Sequence, residues 1–379
     1  MPKSASRTSA ESNEVIPERR RLSHATRLWP IEGKRIEGKH HDRSLPRRTV
    51  LKGAGLGLIA GSLDQALPAE AETPDMADNS SIWSAEYWAK KGDVPLWMFR
   101  KRLSPPKAGE PARPVVFFVH GSSVTSRVFD LHVSGKGEYS VMNEFARYGF
   151  DCWTMDHENY GKSGHTNGNS DVASGVEDLK AAAEVLARET GQQKYHFVGE
   201  SSGALRAGAY AMAAPERINR LVFTAFTYKG AGSPTLKKRA EQVGYYRTHN
   251  LRKRDRDMIR SIATRDKPGT SDPAVIEALA DVELKFGDQV PTGTYLDMTA
   301  NLPVVHPEKV LAPVLLIRGE YDGIAAVADI EEFFNKLPNG DRQLAMLPGT
   351  AHSVVLAINR QLFWHVARAF LNMPSPIAT

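Results

Sequence analysis

Residues 194–214, KYHFVGESSGALRAGAYAMAA, constrain the fold more than any other stretch. Lys194–Val198, with Tyr195, Phe197 and Val198 as its bulky residues, has the composition of a buried strand. Gly199-Glu200-Ser201-Ser202-Gly203 then forces a sharp turn. Ser202–Ala214 reads as a small-residue helix that stops before Pro215, which cannot continue it. A turn this tight strains the backbone of its central serine, and a side chain at either flanking glycine would meet the neighbouring strand or helix. In return the Ser201 hydroxyl stands clear of the sheet at a helix N-terminus, where the dipole and free N–H groups favour a developing negative charge. Ser201 is therefore a candidate nucleophile.

The surrounding chain alternates between strand and helix patterns. Residues 114–119, PVVFFV, and Phe150–Met155 are continuous apolar runs, the signature of parallel strands buried on both faces. A helix is expected between them, from the His120-Gly121-Ser122-Ser123 turn to about Tyr148. Residues 171–190 form an amphipathic helix, with Asp171 as its cap, Val172, Val176, Leu179, Ala183 and Leu186 on one stripe, and Gly191 ending it. Strands follow at Arg220–Phe226, Val314–Arg318 and Gln343–Leu347, with helices at Val327–Lys336 and from about Ser353 to Leu371. At the front, Ile82–Lys91 reads as helix or turn and Pro95–Lys101 as a strand. The expectation is an α/β fold with a mostly parallel central sheet covered by helices on both faces. Residues 227–305 break the alternation: they are helix-like, charged and punctuated by Gly and Pro. The reading divides the chain into a leader (1–71), a first core part (72–226), a helical cap insertion (227–305) and a second core part (306–379).

The charge balance separates the leader from the rest. Of 49 Lys/Arg and 44 Asp/Glu in the chain, residues 1–71 hold 13 and 8, which leaves 36 of each beyond them. The basic pI belongs to the front and gives no reason to expect a nucleic-acid partner. Arg47-Arg48, then Val50-Leu51, Lys52 and the Gly-rich run GAGLGLIAGSL, resemble a twin-arginine export signal. Ala69-Glu70-Ala71 offers a cleavage site after Ala71. The apolar run is about eleven residues, too short for a stable membrane anchor. The expectation is export by the twin-arginine translocation machinery to the periplasm or beyond. The single cysteine, Cys152, lies in an apolar run and reads as core.

Several motifs fall in an order that makes the resemblance specific. They are His120-Gly121 after one strand; Asp156, Gly161 and Ser163 after the next; the turn at Ser201; Gly319 and Asp322 after a late strand; and Gly349 and His352 before the last helix. From about residue 92 to 373 the chain resembles the α/β-hydrolase fold superfamily. The resemblance implies a Ser201, Asp322, His352 triad, with His352 as base and Asp322 orienting it. It implies an oxyanion hole from the backbone N–H groups of Ser122 and Ser202, with Ser123 as a close alternative and the serine side chains incidental. Glu320 and Asp329 are competing acids. The pattern departs at Glu158 and Asn159, where the superfamily usually carries Arg-Gly. In the cap, Tyr228, Tyr245, Tyr246, Tyr295 and Met298 are candidate pocket residues. The run Arg252–Asp257 reads as a solvated, salt-bridged face.

The function implied is a serine hydrolase acting on a small ester-like substrate, with lactones, amides and carbon–carbon bonds as alternatives on the same triad. Perhydrolase or lyase chemistry, or a non-catalytic binding protein, are further readings that the fold alone does not separate. No cofactor is expected: no Gly-rich dinucleotide fingerprint follows a strand. No metal is expected either, since no His/Cys/carboxylate cluster has ligand spacing along the chain.

Overall fold

A computed structural model describes residues 82–374 of the chain. The expected twin-arginine segment and its cleavage site lie outside the described residues. No described helix is long and apolar enough to cross a membrane.

In chain order the strands are β1 (Trp83–Lys91), β2 (Val94–Arg102), β3 (Val115–Val119), β4 (Asp151–Met155), β5 (Tyr195–Glu200), β6 (Ile218–Thr224), β7 (Leu251–Lys253), β8 (Gln289–Pro291), β9 (Val314–Gly319) and β10 (Arg342–Leu347). The helices are α1 (Val141–Arg147), α2 (Val172–Thr190), α3 (Ser202–Ala213), α4 (Pro234–Ala240), α5 (Val243–Thr248), α6 (Arg256–Thr264), α7 (Pro273–Glu283), α8 (Gly293–Leu296), α9 (Val327–Lys336) and α10 (Arg360–Leu371). Eight strands form one sheet in the order β1-β2-β4-β3-β5-β6-β9-β10. From β4 to β10 all pairs are parallel, whereas β1–β2 and β2–β4 are antiparallel. Side chains alternate across it: Val115, Phe117 and Val119 join a core with α2, α3 and α9, while Val116 and Phe118 face α1 and α10.

Two local expectations are corrected. Residues 82–91 are not helix or turn but the edge strand β1. Trp83, Ala85, Tyr87 and Ala89 turn inward at every second position, a period-two pattern. The segment from His120 to Tyr148 is helical only at Val141–Arg147, after a short 3₁₀ turn at Ser126–Phe129. Gly135 and Gly137 adopt positive φ, which a continuous helix does not accommodate. Asp171 and Gly191 do cap α2, the first by accepting from the Ser174 amide and the second in the left-handed conformation. Cys152 is buried on β4, and burial pushes its thiol pKa up.

Between β6 and β9 lie α4–α8 and the antiparallel pair β7–β8. The run Arg252–Asp257 is not one solvated face. Arg256 pairs with Glu277 and Asp281 at the surface, but Arg254 is fully buried, 2.5 Å from Glu283. Glu283, at the end of α7, also accepts from the Thr125 amide and hydroxyl, each at 2.9 Å. This carboxylate therefore ties the helical insertion to the loop after β3. Arg254→Met would leave it buried with no cation, at a cost of about 3–5 kcal/mol. Urea denaturation should show that loss, and adding Glu283→Gln should recover more than half of it. An unchanged urea midpoint in Arg254→Met would show that the ion pair does not hold the insertion in place.

Candidate active site

Ser201 sits between β5 and α3 at φ 58 and ψ −122, a strained conformation that a non-glycine residue rarely adopts. The flanking glycines make it possible. A Cβ on Gly199 would lie 2.6 Å from the Ala204 backbone, and one on Gly203 would lie 2.0 Å from the Val119 carbonyl oxygen. The Ser201 amide is anchored to the Thr224 carbonyl at 2.9 Å. The hydroxyl is held out toward the turn before α10.

His352 reaches it from that turn. Its Nε2 lies 3.1 Å from Ser201 Oγ, and its Nδ1 lies 2.9 Å from Asp322 Oδ1. A carboxylate only accepts, so Nδ1 carries the proton and Nε2 is left to accept from Ser201. Asp322 follows β9, and its Oδ1 also accepts from the Ile324 and Ala325 amides. Burial alone would raise its pKa, but the neighbouring His352 and these amides outweigh it and hold the carboxyl at about 2. The competing acids are spent elsewhere. Asp329 is buried and accepts from the Thr227 hydroxyl and the amides of Tyr228, Lys229 and Gly230, whereas Glu320 accepts from the Gly349 amide near the surface.

The amides of Ser122 and Ser202 flank the Ser201 turn, and neither donates a hydrogen bond to another described residue. The expectation that the side chains there are incidental is corrected. Thr294 Oγ1 donates to Ser122 Oγ, and Ser122 Oγ donates to Ser202 Oγ, each at 2.7 Å. Ser123 Oγ and the Tyr295 hydroxyl share a hydrogen bond at 2.5 Å, and Tyr160 donates to the Ser122 carbonyl at 3.0 Å. A chain of hydroxyls thus links α8 to both loops.

Glu158 and Asn159 replace the usual pair without opening the loop. Glu158 binds Lys91 and Ser174, while Asn159 takes a positive φ of 66 and hydrogen-bonds Gly168 and Thr166. Asp156 accepts from Ser126 and from the Lys162 amide, and Ser163 bridges it to β2.

A narrow cavity of about 40 Å³ opens over Ser201 and His352. Val124, Val128, Leu279 and Leu356 supply its apolar wall, and Glu200, Arg239 and Arg265 its charged side. An outer depression continues past Ser123, Arg239 and Arg265 to Arg252, Tyr246 and Tyr295. Of the expected pocket residues, Ser123 in the loop after β3 and Tyr246 and Tyr295 in the insertion therefore border this space. Tyr228, Tyr245 and Met298 do not. Tyr228 is buried against Phe333, Tyr245 is exposed and stacked on His249, and Met298 borders a separate depression beside Lys229. Aromatic composition could not distinguish these roles, because the insertion's folding decides which face each ring presents.

Sequence reasoning missed Glu200, Arg239, Arg265 and Asp266. Glu200 is the variable residue of the serine turn and carries no pattern. Asp266 is brought next to the triad by tertiary structure: ligand-capable atoms of Asp266, Asp322 and His352 lie within 4.8 Å of one another. Spacing along the chain could not reveal that group. The Asp322–His352 hydrogen bond already engages two of its members.

Comparison with known proteins places the family and the fold. Residues 110–357 match the family model described as serine aminopeptidase, S33. No curated protein matches the chain. Among solved structures, the 2-hydroxy-6-oxo-6-phenylhexa-2,4-dienoate hydrolase of a Rhodococcus species superposes with a TM-score of 0.56 at 17% identity, covering 76% of this chain and 99% of its own. A carboxylesterase from Bacillus subtilis gives 0.52 at 19% identity, covering 76% and 92%. A monoacylglycerol lipase from Paleococcus ferrophilus gives 0.54 at 19%, covering 76% and 98%. At these identities the likeness establishes the fold alone. The family match spans more than half of the chain, from before β3 to the turn that carries His352, and so the protein belongs to the serine aminopeptidase S33 family of α/β-hydrolases.

Proposed function

We propose that the protein hydrolyses a carboxylic ester through an acyl-enzyme formed on Ser201. The observation that carries this reading is the hydrogen-bonded line from Ser201 through His352 to Asp322. A serine hydroxyl is a poor nucleophile near neutral pH, and His352 Nε2 is placed to take its proton. As the imidazole gains charge, the ionised Asp322 stabilises it. The proton then passes from His352 to the leaving alcohol oxygen, and a water repeats the cycle to release the acid. The amides of Ser122 and Ser202 are free to donate to the carbonyl oxygen as it becomes negative.

An ester fits the cavity better than a peptide with a free amino terminus. An ammonium group needs an ionised carboxylate to receive it. Asp266 is engaged by Arg265, and burial together with the nearby Asp322 raises the Glu200 pKa to about 8. Export by the twin-arginine route is part of the same proposal and rests on Arg47-Arg48 and the apolar run after them.

Two experiments test this reading. A fluorophosphonate probe on the full chain should label Ser201 stoichiometrically, and Ser201→Ala should abolish labelling and lower kcat by about 10⁴-fold. His352→Ala should slow labelling by a similar order; labelling that survives either change would refute the role given to that residue. The second concerns Glu200. It ionises near 4.5 in an unfolded chain and near 8 when folded, so between those values only the folded state holds the proton. Wild-type stability should therefore fall as pH rises through that window. Glu200→Gln, neutral throughout, should gain stability over the wild type as pH goes from about 5 to about 8, by a few kcal/mol at the upper end. Urea midpoints that run parallel for the two proteins would mean that Glu200 is ionised in the fold.

A further inference from the structure

Arg239 and Arg265 border the cavity at Ser201 and Arg252 the depression outside it, and of the three only Arg265 meets a carboxylate among the described residues. Arg239 lies on α4 beside Lys237 and Lys238, which are exposed, but it turns under the insertion to border the cavity. It makes no hydrogen bond or ion pair with any described side chain. Its close neighbour is the Tyr295 ring, 5.0 Å away. Arg252 lies over the same ring at 4.6 Å and is likewise without an acidic partner. Arg265 meets Asp266 through Nε at 3.2 Å, while one of its terminal nitrogens is buried with nothing to bind.

The remaining acid does not offset them. Glu200 borders the same cavity, and one of its carboxyl oxygens is buried without a partner. Burial and Asp322 keep it protonated up to about pH 8, against a weaker lowering by Ser353. Burial, with Arg265 and Arg252 adding repulsion, draws even the Arg239 pKa down to about 10. Three guanidinium groups therefore share one carboxylate partner in this space, Asp266 on Arg265. An enclosed guanidinium without an anion is costly, since it has given up water and gained no charge partner. A bound oxyanion would supply that partner, with the paired N–H geometry that guanidinium groups offer to carboxylate and phosphate.

We propose that this space is a recognition site for an anionic ester, in which Arg239 and Arg265 bind a carboxylate or phosphate on the substrate and Arg252 attracts it at the outer mouth. The apolar wall of Val124, Val128, Leu279 and Leu356 takes the hydrocarbon part. The inference rests on the reading of Ser201 as the nucleophile, and names the substrate class for that site.

The test uses the full chain and two pairs of esters matched in shape. One places the charge on the acyl side, 4-nitrophenyl hydrogen adipate against 4-nitrophenyl hexanoate. The other places it on the alcohol side, 4-carboxyphenyl butyrate against phenyl butyrate. At least one anionic member should have the higher kcat/KM. Arg239→Gln and Arg265→Gln should each lower the anionic-to-neutral ratio by about tenfold to a hundredfold, the usual effect of one charge-assisted hydrogen bond. Arg239→Lys, which keeps the charge, should retain part of the preference. Fluorophosphonate labelling of each variant reports that its site is folded. Calorimetric titration of Ser201→Ala with monoethyl adipate measures anion binding without turnover, and adding Arg239→Gln should weaken it about tenfold. Stronger competition by a monoalkyl phosphate would assign phosphate as the anion. The proposal is overturned if neither pair shows an anionic preference, or if the preference survives both arginine changes. Loss of labelling with anion binding intact would instead overturn the nucleophile and leave the anion site standing.

Discussion

The approach of α3 to β3 at Gly203 governs the rest of the site. With no side chain there, the first turn of the helix sits against the Val119 carbonyl, and the loop that carries His120 and Gly121 from the end of β3 runs directly alongside the Ser201 turn. That closeness sets the loop at Gly121 against Ser201, whose Cβ would lie 3.4 Å from a Cβ placed on that glycine. It also brings the Ser122 and Ser202 hydroxyls within 2.7 Å of each other. A methyl group at Gly203 would push the helix outward and separate all of these at once. The strain at Ser201, of the order of 1–3 kcal/mol for such a conformation, is thus sustained by strands buried on both sides of it.

The insertion is coupled to this turn rather than draped over it. Thr294 reaches the Ser122 hydroxyl and through it Ser202, Tyr295 reaches Ser123, and Glu283 reaches the backbone just beyond, at Thr125. The loop after β3 is therefore held from the β5 side by the Ser201 turn and from above by two parts of the insertion. Ser122 Oγ both accepts and donates, so removing it leaves Thr294 and Ser202 each without a partner in a buried setting, where that is costly. The segment that lines the cavity and the loop expected to stabilise an oxyanion are parts of one hydrogen-bonded unit.

How much of this was legible in the sequence follows from the range of the interactions. The strands β3–β6 and β9 are short apolar runs whose burial on both faces leaves a continuous signature, and Ser201, Asp322 and His352 lie at their ends at recognisable spacings. The edge strand β1 was misread although Trp83, Ala85, Tyr87 and Ala89 alternate, because a single half-exposed strand with Glu86 and Lys90 between its apolar residues resembles a surface helix in composition. The insertion was illegible for a different reason. Whether Tyr245 or Tyr246 faces the cavity depends on one helical step, and α5 is too short to carry an amphipathic pattern. Arg252 and Arg254, two residues apart on one three-residue strand and its continuation, have opposite fates: one borders the cavity and the other is buried on Glu283. Nothing in the run of charges distinguishes them.

The distribution of carboxylates around His352 completes the electrostatic logic. Asp322 and Asp266 lie beside the imidazole and Glu200 borders the same cavity, so three carboxyl groups crowd one end of the site. The fold gives each a different state. Asp322 is held ionised by the amides of Ile324 and Ala325 and by the imidazole itself. Asp266 faces Arg265, which offsets its charge. Glu200 is stripped of water and left with its proton. One uncompensated anion then remains on the Nδ1 side of the ring, and the positive charge of the arginines lies on the cavity side. That polarity draws the proton toward Asp322, leaves Nε2 open toward Ser201, and presents an arriving anionic ester with attraction at the mouth rather than repulsion.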